Sequence, residues 1–131
     1  MQPEERYKKG VAKLVELLGP VAAEKRGIVY EMAPEFAELT REFLFGAIWS
    51  DPTLETRLRS IATLSALVVL DRQPEVRLHL RVALNLGFTK AQLIALITHL
   101  SIYGGYPVTM NALMTAKEVF ARWDAKRVEP K

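Results

Sequence analysis

The segment Asp71-Arg72-Gln73-Pro74-Glu75-Val76-Arg77-Leu78-His79-Leu80-Arg81 concentrates the side chains that could do chemistry. On a helix, Glu75 and His79 stand at i and i+4 and share a face. Val76, Leu80, Ala83 and Leu84 form an apolar stripe, and His79 falls at its edge, about 60° from Val76 on a helical wheel. An imidazole so placed can be half-buried, with a carboxylate to fix its tautomer. Arg72 precedes the helix start, and Arg77 and Arg81 lie on the other flank. One of these guanidiniums could hold a carboxylate-bearing substrate while His79 transfers a proton. The bland alternative stays open: a histidine at the edge of an apolar stripe is often a packed, hydrogen-bonded side chain, and surface arginines are often a solvated face.

Other residues carry weaker signals. Trp49, beside the Ser50-Asp51-Pro52 break, and Tyr103 and Tyr106, around Gly104-Gly105, could line a pocket mouth or serve as core or interface residues. His99 sits amid Leu96, Ile97 and Leu100 and reads as a packed side chain. Ser60, Thr63 and Ser65 have no base beside them in sequence, so no serine nucleophile is expected. Gly104-Gly105 lacks the longer glycine pattern and the Lys-Ser/Thr of a phosphate loop. With no cysteine, the chain has no disulfide, no thiolate metal site and no thiol nucleophile. With only two histidines, a His-rich metal site is not expected either.

The elements that must position these residues are helices. The 131 residues suit one domain spanning 1–131. Half of them are hydrophobic and a quarter charged, as in an ordinary globular protein. The net charge of +3, spread without runs of one sign, does not call for nucleic acid. Glu4 to Leu18 reads as a first helix, stopped by Gly19-Pro20. A poorly patterned segment follows to Ala33. Pro34 opens a helix to about Trp49, with Phe36, Leu39, Phe43 and Leu44 on one side. The next runs from about Thr53 to Leu70, and its second half, apolar nearly all round, expects cover on every side. Pro74 opens a helix to Leu86, ended by Gly87. Thr89 and Gln92 form a capping box, with Phe88 and Leu93 as a hydrophobic staple, for a helix from Lys90 to Tyr103. Pro107 opens the last helix, to about Lys126. No segment alternates like a strand, so the fold class is all-α, with five to seven mostly antiparallel helices. The longest apolar stretch, Ile61 to Leu70, is about half a membrane span. The polar opening MQPEERYKKG has no signal-peptide core, so cytoplasm is the expected location.

Five phrases occur in order: Gly46-Ala47-Ile48-Trp49, Leu54 through Arg59-Ser60, Arg77-Leu78-His79-Leu80-Arg81, Ala83-Leu84-Asn85-Leu86-Gly87 and Tyr103-Gly104-Gly105-Tyr106-Pro107. Together they resemble the carboxymuconolactone decarboxylase family, from about Glu35 to Phe120. The family has a decarboxylase branch, acting in aromatic-acid breakdown through the β-ketoadipate pathway, and a branch of alkylhydroperoxidase-like disulfide reductases. The second branch carries Cys-x-x-Cys followed four residues later by His. If His79 is matched to that histidine, the cysteine positions fall on Arg72 and Glu75, so thiol redox activity in its known form is excluded. The text around Arg59-Ser60 and His79 looks more like the decarboxylase branch.

The resemblance implies an alkylhydroperoxidase-like helical fold and a homo-oligomer, often a ring of six. It implies decarboxylation of a 4-carboxymuconolactone-like lactone without cofactor or metal, because the conjugated lactone is itself the electron sink. In that chemistry His79 suits the proton donor with Glu75 as its orienter. Arg72 or Arg81 suits the substrate carboxylate, and Trp49 and Tyr103 an apolar wall. Competing expectations are a non-catalytic helical assembly or small-molecule binder, and a helix-turn-helix DNA binder around Asn85-Leu86-Gly87-Phe88-Thr89. The second helix of that motif, AQLIALITHLSIY, offers almost nothing to read a base or grip a phosphate.

Overall fold

Prolines and glycines punctuate the chain where the sequence places them. The structure, a computed structural model, describes residues 1–21 and 28–128. Its elements are α1 (Pro3–Leu18), α2 (Ile28–Met32), α3 (Pro34–Leu39) continued by a π-helical segment (Thr40–Ile48), α4 (Thr56–Val69), α5 (Gln73–Asn85), α6 (Lys90–Gly104) and α7 (Tyr106–Val128). The described residues contain no strand, and the fold is all-α. Pro3, Pro34 and Pro74 each occupy the first turn of a helix, where the missing N–H is not needed. Gly19, Gly87 and Gly105 end helices at φ of 84°, 93° and 94°. The poorly patterned stretch before Ala33 contains α2, while positions 22–27 lie outside the described residues. Among the described residues, no helix is long and apolar enough to cross a membrane.

Two compact units divide the chain, Met1–Arg59 and Ser60–Lys131. In the first, α1 lies against the π segment with backbone nearly touching backbone. A β-carbon at Gly10 would stand 1.7 Å from the Arg41 carbonyl oxygen, and one at Gly46 2.0 Å from that of Arg6. Only glycine permits this approach. Leu14 and Leu17 are buried beside it, and Arg6 pairs with Glu42 at 2.9 Å.

The π segment departs from the plain helix expected between Pro34 and Trp49. Its wider turn buries Thr40, Phe45, Gly46 and Trp49. Phe36, Leu39, Phe43 and Leu44, the stripe seen in the sequence, face solvent instead. The helix expected from Thr53 starts at Thr56, because side chains hold the preceding loop. Asp51 accepts the Thr53 N–H at 3.0 Å, and Arg59 donates to the Leu54 and Asp51 carbonyls at 2.9 and 3.1 Å. These Thr53 hydrogen bonds, with the Arg59 charge behind them, hold the Asp51 carboxyl below its ordinary pKa.

The second unit packs α7 against α5 and α6. Its core joins Leu64 and Val68 to Val76, Leu80, Ala83, Leu93, Ile97, Ala112 and Ala116. The predicted stripe of α5 is the buried face, as the periodicity requires. The capping box forms as read: the Gln92 N–H donates to Thr89 Oγ1 at 3.0 Å, and Gln92 Oε1 accepts the Thr89 N–H at 2.9 Å. The second half of α4 is not covered on every side within the chain. Leu64 and Val68 are sealed, but Val69 and Leu70 are exposed.

Candidate functional site

The turn between α4 and α5 sets the start of the chemistry-bearing helix. Asp71 adopts a left-handed conformation at φ 57°, which a short polar side chain tolerates by bonding locally. Its carboxylate accepts Gln73 Nε2 at 2.6 Å and Asn111 Nδ2 at 3.2 Å, and Gln73 Oε1 accepts Thr115 Oγ1 at 2.7 Å. Two residues of α7 thus fasten the turn from which Arg72 leaves. The Arg72 carbonyl accepts the Val76 N–H at 2.8 Å, so Arg72 is tied into the first turn of α5.

Three of the candidate residues share one side of α5. Arg72 and Glu75 are exposed, and His79 is half-buried. The His79 Nδ1 is shielded from solvent. Val76, Leu80 and Ala83 beside it are completely buried, which fixes the helix and the ring's starting point. Glu75 stands one turn before His79 on this side, a spacing that sets proximity but not rotamer. A carboxylate at the N-terminus of α5 also meets the positive end of the helix dipole.

Arg81 is brought elsewhere. Two residues beyond His79, it leaves α5 about 160° around the helix, on the opposite side. There it lines a groove of about 270 Å³ between α5 and α7 together with Arg77, Leu78, Val119, Arg122, Trp123 and Lys126. Arg77 pairs with Glu118. The hydrogen bond and charge of Arg77, with a further contribution from Arg122, hold the Glu118 carboxyl below its ordinary pKa. The α7 half of this groove escaped the sequence reading. Its signal is a pair of cations four residues apart, which looks like any solvated last turn of a helix.

The aromatic candidates belong to different units. Trp49, in the first unit, is 6% exposed and packs on Phe45 with ring centroids 6.3 Å apart. Tyr103, in the second, is 70% exposed and lies 5.3 Å from the ring of His99. Ser60 is fully buried, and its hydroxyl has no hydrogen-bond partner among the described residues.

The arrangement offers a shielded imidazole nitrogen, a guanidinium and a carboxylate along one helix side, the groups needed to bind an organic acid and move a proton. Known proteins bear on that reading. Residues 34–118, from α3 into α7, match the carboxymuconolactone decarboxylase family. A 4-carboxymuconolactone decarboxylase of Acinetobacter baylyi is 36% identical over 121 residues, covering 92% of this chain and 90% of that protein. A nitrosuccinic acid decarboxylase of Metarhizium robertsii is 30% identical over 62% of this chain and 57% of its own length. An uncharacterised 15.0 kDa protein of Paracoccus denitrificans is 32% identical over 63% of each. With the matched span containing Arg72, Glu75 and His79, and with likeness to a named relative running nearly end to end, the chain belongs to the carboxymuconolactone decarboxylase family.

Proposed function

We propose that the protein is a cofactor-free carboxy-lyase acting on a carboxylated lactone of the 4-carboxymuconolactone type, in aromatic-acid breakdown. The observation that carries this reading is the 36% identity with a 4-carboxymuconolactone decarboxylase across 92% of the chain. The relative named for nitrosuccinic acid also removes a carboxyl group from a small organic acid, which supports the reaction class independently of the ring.

The chemistry follows from the substrate. Heterolysis of the bond to the carboxylate releases carbon dioxide and leaves the electron pair in the ring, delocalised onto the lactone carbonyl as a dienolate. The protein must grip a carboxylate, stabilise the charge that develops on oxygen, and return a proton to carbon. Arg72 holds a substrate carboxylate through its planar fork. His79 delivers the proton to the ring carbon. Glu75, one turn before it, orients the imidazole once the site is occupied, since catalytic hydrogen bonds often tighten only with substrate bound.

The proposal includes assembly with copies of the same chain, as a ring of six. Its support is apolar surface that one chain leaves open. Tyr106, Met110 and Met114 recur every fourth residue along α7 and are all exposed, with Ile102 and Tyr103 beside them. An oligomer would cover this stripe and bring the Tyr103 ring into an apolar wall.

Purified protein mixed with 4-carboxymuconolactone should release carbon dioxide, and His79→Ala should lower the rate at least about 100-fold, the ordinary contribution of a positioned acid. Wild-type protein that leaves the lactone untouched would remove this substrate from the reading. Full activity in His79→Ala would remove the histidine from the proton path.

A further inference from the structure

On the side of α5 away from His79, four cations converge on the groove of about 270 Å³. Arg77 and Arg81 enter from α5, and Arg122 and Lys126 from α7. Each pair is spaced i,i+4, so each stacks on one face of its helix. Some cations elsewhere stand beside carboxylates, as Arg6 does with Glu42, Lys13 with Glu16 and Lys90 with Asp124. In the groove only Arg77 has such a partner, Glu118. Arg81, Arg122 and Lys126 form no ion pair within 4 Å among the described residues, so the four cations of the groove share one nearby carboxylate, Glu118, which pairs with Arg77.

The floor between these cations is apolar. Val119 is buried, and the half-buried Leu78 and Trp123 complete the floor, with the Trp123 ring as a partner for an aromatic body. Trp123 also carries Arg127 at 5.8 Å from its ring, a fifth cation at the edge. The volume lies just below the roughly 300–1,000 Å³ of pockets for drug-sized ligands, which limits the occupant to about one ring.

We propose that this groove is a second small-molecule site, separate from the His79 side, for a compact organic acid with an apolar body. The body lies on Trp123, Val119 and Leu78. Its carboxylates are forked by Arg81 and Arg122 and neutralised by Lys126. An occupant so held bridges α5 to α7. An extended polyanion fits less well, because the Glu118 carboxylate stands beside Arg77 at the groove and would repel its backbone.

Isothermal titration of the full chain with terephthalate tests the site, with inorganic phosphate as a charge-only probe and benzamide as a ring without charge. One terephthalate-binding event per chain should survive His79→Ala. It should weaken at least tenfold in the Arg81→Gln/Arg122→Gln variant, whose fold is checked by circular dichroism. Each single variant, on a different helix, should weaken the same event. Phosphate should bind at least tenfold more weakly than terephthalate, and benzamide not measurably. The proposal is overturned if terephthalate does not bind, if binding vanishes in His79→Ala and persists in the double variant, or if phosphate binds as tightly as terephthalate. These outcomes do not depend on turnover, so they stand apart from the fate of the lyase reading.

Discussion

At the scale of single residues, the candidate chemistry rests on an imidazole and a guanidinium with different supports. His79 is half-buried beside fully buried neighbours on α5, so its ring starts from a fixed backbone. Arg72 is exposed, and its position comes from the turn held by Asp71, Gln73 and Asn111. Removing Arg72 should therefore disturb binding and not folding. Arg72→Gln is expected to raise KM for the lactone roughly 10- to 100-fold, the equivalent of a lost hydrogen bond to a charged group. Arg72→Lys should recover only part of that loss, because an ammonium keeps the charge without the fork. Steady-state kinetics with an unchanged melting temperature would separate this from damage to the fold. Spacing alone makes the Glu75–His79 face visible, yet it does not decide whether the two side chains meet, which depends on rotamers and on the ligand between them.

At the scale of elements, helix ends were legible because single residues dictate them. Proline at first turns, glycine at positive φ and the Thr89–Gln92 box each act locally. The π segment was not legible. Its hydrogen bonds reach one residue further than those of an α-helix, as in the Trp49 N–H to Leu44 carbonyl bond at 2.9 Å. That shift rotates the buried face after Thr40, so Phe45, Gly46 and Trp49 turn inward where periodicity counted at 3.6 residues per turn selects Phe43 and Leu44. The same segment carries the tightest packing of the first unit. Gly10→Ala should destabilise the protein by about 3 kcal/mol or more, since the clash is backbone against backbone and no rotamer relieves it. Gly19→Ala, with open space around its β-position, should cost less, about 1–3 kcal/mol of backbone strain at its positive φ. Urea unfolding of the two variants side by side would check the contrast.

At the scale of the whole molecule, the apolar surface is the main consequence of the fold. The Tyr106, Met110 and Met114 stripe and the Phe36, Leu39 and Phe43 stripe are exposed in one chain, on different units. Substituting Met110→Glu should shift the assembly toward smaller species in light scattering coupled to gel filtration, with helicity retained. An unchanged mass would place the contacts between copies away from this stripe.

The sequence by itself determined that the protein is all-helical, where most helices begin and end, that thiol chemistry is closed to it, and which family it resembles. Those properties are local or compositional: proline and glycine act on their own backbone, periodicity marks an amphipathic face, and a missing cysteine is missing in any fold. Only the tertiary structure decided that Arg81 joins Arg122 and Lys126 in a shared groove, and that the apolar face of the Pro34–Trp49 helix stays outside. These depend on which residues distant in sequence come to lie side by side. Packing chooses that against the whole chain, and neighbours in sequence do not encode it.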